Sequence, residues 1–166
     1  MWLCLSSQFG GVSWKIPASA IIALSLVTAL STMLFAATQT SDATFGANKD
    51  NTLYEHTSGG LSNGAGAHMF VGKTTGGSIR RAVVKFDLSS IPSDATVNSA
   101  SLTLNMSKTS SGSQTINMHK VSSDWGEGDS NASNNEGGGA TAQNGDATWI
   151  HSFFNSTSWT SAGGDF

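Results

Sequence analysis

Four acidic residues, Asp124, Glu127, Asp129 and Asp146, are the side chains whose types and spacing come nearest to a catalytic arrangement. Glycoside hydrolysis needs two facing carboxylates, and nucleophilic catalysis needs a nucleophile beside a base. These acids lie in a glycine-rich segment, where holding a site to within about half an ångström is difficult. We therefore interpret them as solvated loop acids and predict no catalytic residue, no cofactor and no enzyme. A polysaccharide-degrading hydrolase that uses an acid such as Glu127 is the least favoured alternative.

The same acids raise the question of a bound cation. Carboxylate and loop carbonyl oxygens are the hard ligands that calcium prefers. Residues 124–129 read D-W-G-E-G-D, which lacks the D-x-D-x-D-G spacing of a dedicated calcium loop. The histidines are dispersed and show no H-x-H or H-E-x-x-H spacing; they stand at positions 56, 68, 119 and 151. We predict no metal site, while a bound calcium ion stays an open alternative.

Two tryptophans flank the glycine-rich segment, Trp125 near its start and Trp149 just beyond its end. An aromatic ring has an apolar face, and such a face can stack on the C–H face of a pyranose. On that basis the candidate ligand-binding residues are Trp125 and Trp149, with Glu127 between them. The alternative is that both rings close the end of a β-structure as core residues. The usual high burial of tryptophan favours this second interpretation.

Charge and cysteine content exclude several other classes of site. The chain has 8 Lys and Arg residues against 11 Asp and Glu, and a net charge of −3. Arg80 and Arg81 are the only clustered cations, whereas nucleic-acid binding needs several cations on one face, so we predict no nucleic-acid partner. The single cysteine is Cys4. The chain after it can therefore contain no disulfide, thiolate nucleophile or cysteine metal site.

Residues 16–37 form an uncharged, mostly apolar run that follows Lys15. A basic residue, an apolar run and a small-residue end, here Ala36-Ala37, are typical of a secretory signal sequence. The run is also nearly as long as the roughly 20 residues that span a bilayer. We predict a signal sequence or membrane-anchor helix over residues 1–37 and an exported domain over 38–166, secreted or at the cell surface. Cleavage is favoured because Ser and Thr dilute the run; only an uncleaved segment would contact the membrane.

Beyond residue 38, short runs with period-two alternation are separated by loops rich in Gly, Ser and Asn, which is typical of a β-sandwich. In the clearest run, Ala82, Val84, Phe86 and Leu88 share one face and Val83 lies on the other. Residues 122–146 are predicted to be a long loop, either functional or disordered. We predict an all-β, jelly-roll-like antiparallel sandwich with strands over 51–56, 67–71, 80–88, 97–106 and 116–121.

Residues 80–106, RRAVVKFDLSSIPSDATVNSASLTLNM, resemble the DNRLRE domain family of bacterial extracellular proteins, which is related to disaggregatase-type carbohydrate-binding modules. The similar elements are FDLS (86–89), Ile91-Pro92, ATV (95–97), Ser99-Ala100 and LTL (102–104). Weaker similarities are His119-x-Val121, W-G-E-G at 125–128, Thr148-Trp149 and DNTLYE at 50–55. The resemblance covers about residues 44–166. It implies a non-catalytic extracellular module that binds a polysaccharide or a cell-surface glycan.

One departure from the family pattern bears on stability. Family members continue to an Arg- and Glu-containing motif, and none occurs before Phe166. We therefore expect an incomplete sandwich with an open sheet edge, which would be marginally stable or prone to aggregation. The alternative function, in a different class, is a purely structural surface or spacer module.

Overall fold

The computed structural model describes residues 2–7, 14–19 and 38–166, and these are built almost entirely from antiparallel strands, which confirms the all-β prediction. One short 3-10 helix, Ser133–Gly138, interrupts the strands of the described part. The strands in chain order are β1 (Trp2–Ser7), β2 (Trp14–Ser19), β3 (Thr38–Ala43), β4 (Ala47–Tyr54), β5 (Leu61–Ser62), β6 (Gly72–Lys73), β7 (Ile79–Phe86), β8 (Ile116–Lys120), β9 (Ala140–Thr141), β10 (His151–Phe153) and β11 (Thr157–Ser158).

The chain divides into two compact units. The first comprises Met1–Phe9, Gly46–Leu88 and Ser107–Phe166, and the second comprises Gly10–Phe45 and Ser89–Met106. The first unit holds a five-stranded sheet in the order β4-β7-β1-β8, with β6 also paired to β7. It also holds the two-stranded pairs β10-β11 and β5-β9, while β2 pairs with β3 in the second unit.

Strand β7 is buried on both of its faces. Its β-branched centre suits a sheet interior, and Ala82, Val83 and Val84 are all at most 1% exposed. Val83 belongs to the core cluster, whose members are Leu53, Val83, Val121, Trp125, Ala147 and Trp159. The alternating pattern is typical of a half-buried strand, but the residues at the centre of β7 are buried on both faces. On the opposite face Thr52, which pairs with Ala82 in the ladder, accepts the Phe70 amide at its Oγ1.

Three of the predicted strands are present, and two are not. The predictions over 51–56, 80–88 and 116–121 correspond to β4, β7 and β8. Residues 67–71 form no strand, because side chains take their amides: Thr52 binds that of Phe70 and the Glu136 carboxylate binds that of Ala67. Residues 97–106 contain one residue in an isolated β-bridge and no strand. An alternating pattern makes a segment suitable for a strand, but a strand also needs a neighbouring segment to pair with.

Most of the predicted leader, including residues 20–37, lies outside the described residues. The described parts of residues 1–37 are extended: β1 belongs to the large sheet, and β2 pairs with β3. Among the residues described, no helix has both the length and the apolar character needed to cross a membrane.

The predicted long loop is tightly packed against the free edge of β4. Within it, Trp125, Ser130 and Asp146 are at most 1% exposed. Asn51 in β4 joins the loop to the strand. Its Nδ2 donates to the carbonyl oxygens of Glu127 at 2.7 Å and Ala147 at 3.4 Å. Its Oδ1 accepts the amide of Thr52 and that of Asn63. A buried asparagine with all its partners satisfied fixes the loop on the strand and covers an edge that would otherwise be open.

Candidate functional site

A groove lies in the first unit, where the end of the chain passes over β7. Its volume is about 580 Å³, which is within the size range of ligand pockets. We call it the Arg81 groove. It combines a guanidinium group, a carboxylate, several hydroxyl groups and an aromatic ring, and its lining residues are Arg81, Ser122, Ser123, Thr160, Ser161, Ala162, Gly164, Asp165 and Phe166.

Arg81 is held between two aromatic rings. Its guanidinium carbon lies 4.9 Å from the ring centroid of Trp149 and 4.9 Å from that of Phe166. Nη1 donates to the carbonyl oxygen of Gly163 at 2.7 Å, and a Cβ at position 163 would lie only 2.4 Å from that nitrogen. Gly163 also has φ +92°, a conformation that favours glycine. Strand β7, Gly163 and the two aromatic rings thus hold the guanidinium group of Arg81 in a fixed position. This planar group has five N–H donors.

Phe166 presents an exposed ring beside this cation. The residue is 50% exposed, although it contacts Arg81 on one side and His119 of β8 on another. The ring centroids of His119 and Phe166 are 5.2 Å apart, with 30° between the ring planes. His119 is itself exposed, and so is Met118 beside it in β8. The arrangement orients an apolar ring while leaving part of it accessible to a ligand.

Asp165 supplies the acceptor of the groove. Its carboxylate accepts hydrogen bonds from the amides of Thr160 and Ser161 at 3.1 and 3.0 Å, and from Ser123 Oγ at 3.1 Å. The Thr160 side chain also hydrogen-bonds this carboxylate, which is still partly exposed. Burial raises the pKa of Asp165, but the hydrogen bonds outweigh it and leave that pKa below its ordinary value. The group is an oriented, ionised acceptor at neutral pH.

Asp165→Asn should make the protein less sensitive to acid. Because the pKa of Asp165 is lower in the folded chain than in the unfolded chain, its stabilisation is present above the unfolded value, about 3.9. That stabilisation is lost as the pH falls through the folded pKa. We expect the urea midpoints of the two proteins to differ most at neutral pH and to converge below about pH 4. A constant difference across this range would contradict the assignment.

The structure does not bring the three sequence-predicted site residues into one surface. Trp125 is 0% exposed, and Lys49 Nζ lies 4.5 Å from its ring centroid, so the ring offers no accessible face. Trp149 is half-buried against the same core and lies beside Arg81, next to the groove. Glu127 Oε1 accepts the amide of Asp50 at 2.9 Å, at the edge of β4. The position of Trp125 favours the alternative in which it is a core residue.

Asp124, Glu127 and Asp146 each have a different partner. Asp124 forms an ion pair with Lys49 at 3.5 Å. Asp146 is buried and accepts the amides of Ser130 and Gln143. Burial, and then the charge of Glu127, raise the pKa of Asp50. Within residues 38–166 and the short described segments before them, no three His, Cys, Asp or Glu side chains come together to hold a metal ion.

Sequence reasoning missed Arg81, Asp165, Phe166 and His119 as parts of one groove. Arg81 was recognised only as half of an Arg-Arg pair on a strand. Arg81 directly precedes an apolar strand segment, and this was a usable signal of a site. A charged side chain beside a buried strand needs a partner elsewhere in the chain. Asp165 and Phe166 are distant from Arg81 in sequence, and no local pattern connects them.

Comparison with known protein families gives a match, which covers most of the first unit. A family model described as carbohydrate-binding module family 96 matches residues 41–157, which is more than half of the chain. Arg81, His119 and all three sequence-predicted site residues lie within the match, and Asp165 and Phe166 lie beyond it. The DNRLRE name is not confirmed, but the coarser resemblance to a carbohydrate-binding module is. Neither a curated protein nor a solved structure matches significantly.

Proposed function

We infer a carbohydrate-binding function for this chain because it belongs to carbohydrate-binding module family 96. Such modules are in general non-catalytic and extracellular or at the cell surface. We propose that this chain is likewise a non-catalytic extracellular module, and that its role is attachment to a polysaccharide or a cell-surface glycan. The partners of three of the acids agree with this proposal, since Glu127 and Asp146 accept backbone amides and Asp124 pairs with Lys49.

The proposed ligand site is the Arg81 groove. The observation that carries this assignment is the half-exposed ring of Phe166 between a fixed guanidinium group and His119. Phe166 is half exposed between Arg81 and His119 and would contact the apolar part of a sugar ring, whereas Trp125 is fully buried. Arg81 would donate to sugar hydroxyl or ring oxygens, and Asp165 would accept from a hydroxyl group. Trp149 supports Arg81 from beneath, and Glu127 maintains the loop rather than touching the ligand.

Phe166→Ala should reduce glycan binding about tenfold or more, because an aromatic contact worth about 1.4 kcal/mol corresponds to that factor. The ligand is first identified with the unmodified full chain on an array of polysaccharides, and affinity is then measured by isothermal titration. We expect little change in Tm, because Phe166 is already 50% exposed.

Met118→Ala is the matched control for Phe166→Ala. Met118 is 48% exposed, lies in β8 beside His119 and is not among the residues that line the groove. Its substitution should leave glycan affinity unchanged. Equal affinity of Phe166→Ala and the unmodified chain would remove Phe166 from the site. An unmodified chain that folds but binds no glycan on the array would favour the structural spacer function instead.

A further inference from the structure

Strands β7 and β8 do not pair with each other, because β1 lies between them. Residues Trp2–Leu5 pair antiparallel with β7, in the register Trp2 with Lys85 through Leu5 with Ala82. The same strand pairs antiparallel with β8, in the register Leu3 with Lys120 through Ser7 with Ile116. Among the described residues β8 pairs with no other strand. Strand β1 is therefore what attaches β8 to the sheet.

Removing β1 would leave a space one strand wide. Neighbouring strands are about 4.8 Å apart, so β7 and β8 would be left about 10 Å apart, too far for direct hydrogen bonds. The groups that each strand directs at β1 would lose their partners, and an unpaired buried backbone group costs about as much as a lost hydrogen bond. The first unit is thus incomplete without a strand in this position.

The composition of β1 suits a central position. Its sequence is WLCLSS, which has no charge and four consecutive apolar residues. Strands with neighbours on both sides tolerate such continuous apolar runs, whereas edge strands are usually protected by charge or proline. These residues nevertheless lie within the segment 1–37 that the sequence identifies as a leader. Cleavage near Ala36-Ala37 would remove them.

We propose that the space between β7 and β8 is a strand-acceptor site whose occupant is Trp2–Ser7 of the same polypeptide. The site takes an extended, uncharged apolar strand that runs antiparallel to both neighbours. The first part of the predicted leader is accordingly a structural part of the module and stays with it in the folded protein. This inference concerns the sheet rather than the groove and is independent of glycan binding.

The single cysteine allows a direct test in the full chain. Cys4 is opposite His119 in the β1–β8 register. Opposed residues in an antiparallel ladder have Cα atoms about 4.5 or 5.5 Å apart, within the 4.4–6.8 Å range that a disulfide spans. In His119→Cys, mild oxidation should therefore link most molecules within one chain. The readouts are a monomer that migrates faster on a non-reducing gel and an intact mass that is lower by two hydrogens.

Met118→Cys is the matched control, since it is one residue away in the same exposed strand. Successive side chains point to opposite faces of a sheet, so this cysteine should remain reduced. Equal linking in both variants, linked dimers only, or no linking would each overturn the proposal. A second measurement needs no substitution: hydrogen exchange at β8 amides should be slowed in the unmodified chain. Uniformly fast exchange across Ile116–Lys120 would also overturn it.

Discussion

Trp125→Ala should lower the free energy of unfolding by about 3–5 kcal/mol, the usual cost of truncating a buried aromatic side chain to alanine. The ring is 0% exposed and packs in the cluster that contains Leu53, Val83 and Val121. Its removal leaves a cavity that the surrounding sheet and loop can fill only in part. Domains of this size are stable by only about 5–15 kcal/mol, so the variant should unfold at a much lower urea concentration.

The Trp125 substitution also separates the two interpretations of that residue. Met118→Ala, at an exposed position of the same unit, should change the unfolding free energy by no more than about 0.5 kcal/mol. If Trp125→Ala keeps its urea midpoint but loses glycan affinity, Trp125 is a sugar-stacking residue after all. Lost stability with affinity retained below the unfolding transition supports its position in the core.

Asn51→Asp should destabilise the protein by about 3 kcal/mol or more at neutral pH, despite the nearly identical shape of the side chain. The amide nitrogen of Asn51 donates to the carbonyl oxygens of Glu127 and Ala147, and to Ser62 Oγ. An aspartate would place an ionised acceptor against two acceptors in a site that is 1% exposed. Urea denaturation at neutral pH measures the loss.

Asn155→Asp provides the comparison for Asn51→Asp. The amide of Asn155 also donates a hydrogen bond, to Asn144 Oδ1 at 2.7 Å, but it does so at an exposed position. Its replacement should cost only a few tenths of a kcal/mol, because water satisfies both groups. Similar losses in the two variants would show that the position of Asn51 between strand and loop has no special importance.

The fold class was accessible from the sequence because it depends on local alternation and composition. Strands β4, β7 and β8 carry β-branched or alternating residues and lie where those patterns predict them. The strands predicted over 67–71 and 97–106 are absent from the structure. An alternating pattern indicates that a segment suits a strand, but pairing depends on which neighbours the rest of the chain provides. At Phe70 the available acceptor was the hydroxyl group of Thr52 rather than another strand.

The candidate site was less accessible because its members come from separate parts of the chain. Trp125 and Trp149 were found as rings flanking a loop, and only the structure shows that one is buried and the other lies beneath Arg81. Phe166 has no distinguishing sequence context, and its exposed ring follows from the path of the terminal residues over β7. Asn51, by contrast, was identified in a predicted strand and in the family resemblance, but its role in the network that joins β4 to the loop was not predicted.

That network also constrains the order in which the protein folds. The bond from Asn51 to Glu127 spans 76 residues, and the contact with Ala147 spans 96. Neither can form until a large part of the chain has been drawn together, and the entropy lost in closing such loops must be overcome first. The bond from Asn51 to Ser62 spans only 11 residues and carries no such delay. We therefore expect the contact of Asn51 with Ser62 to form early and the docking of residues 122–148 on β4 to be a late step of folding.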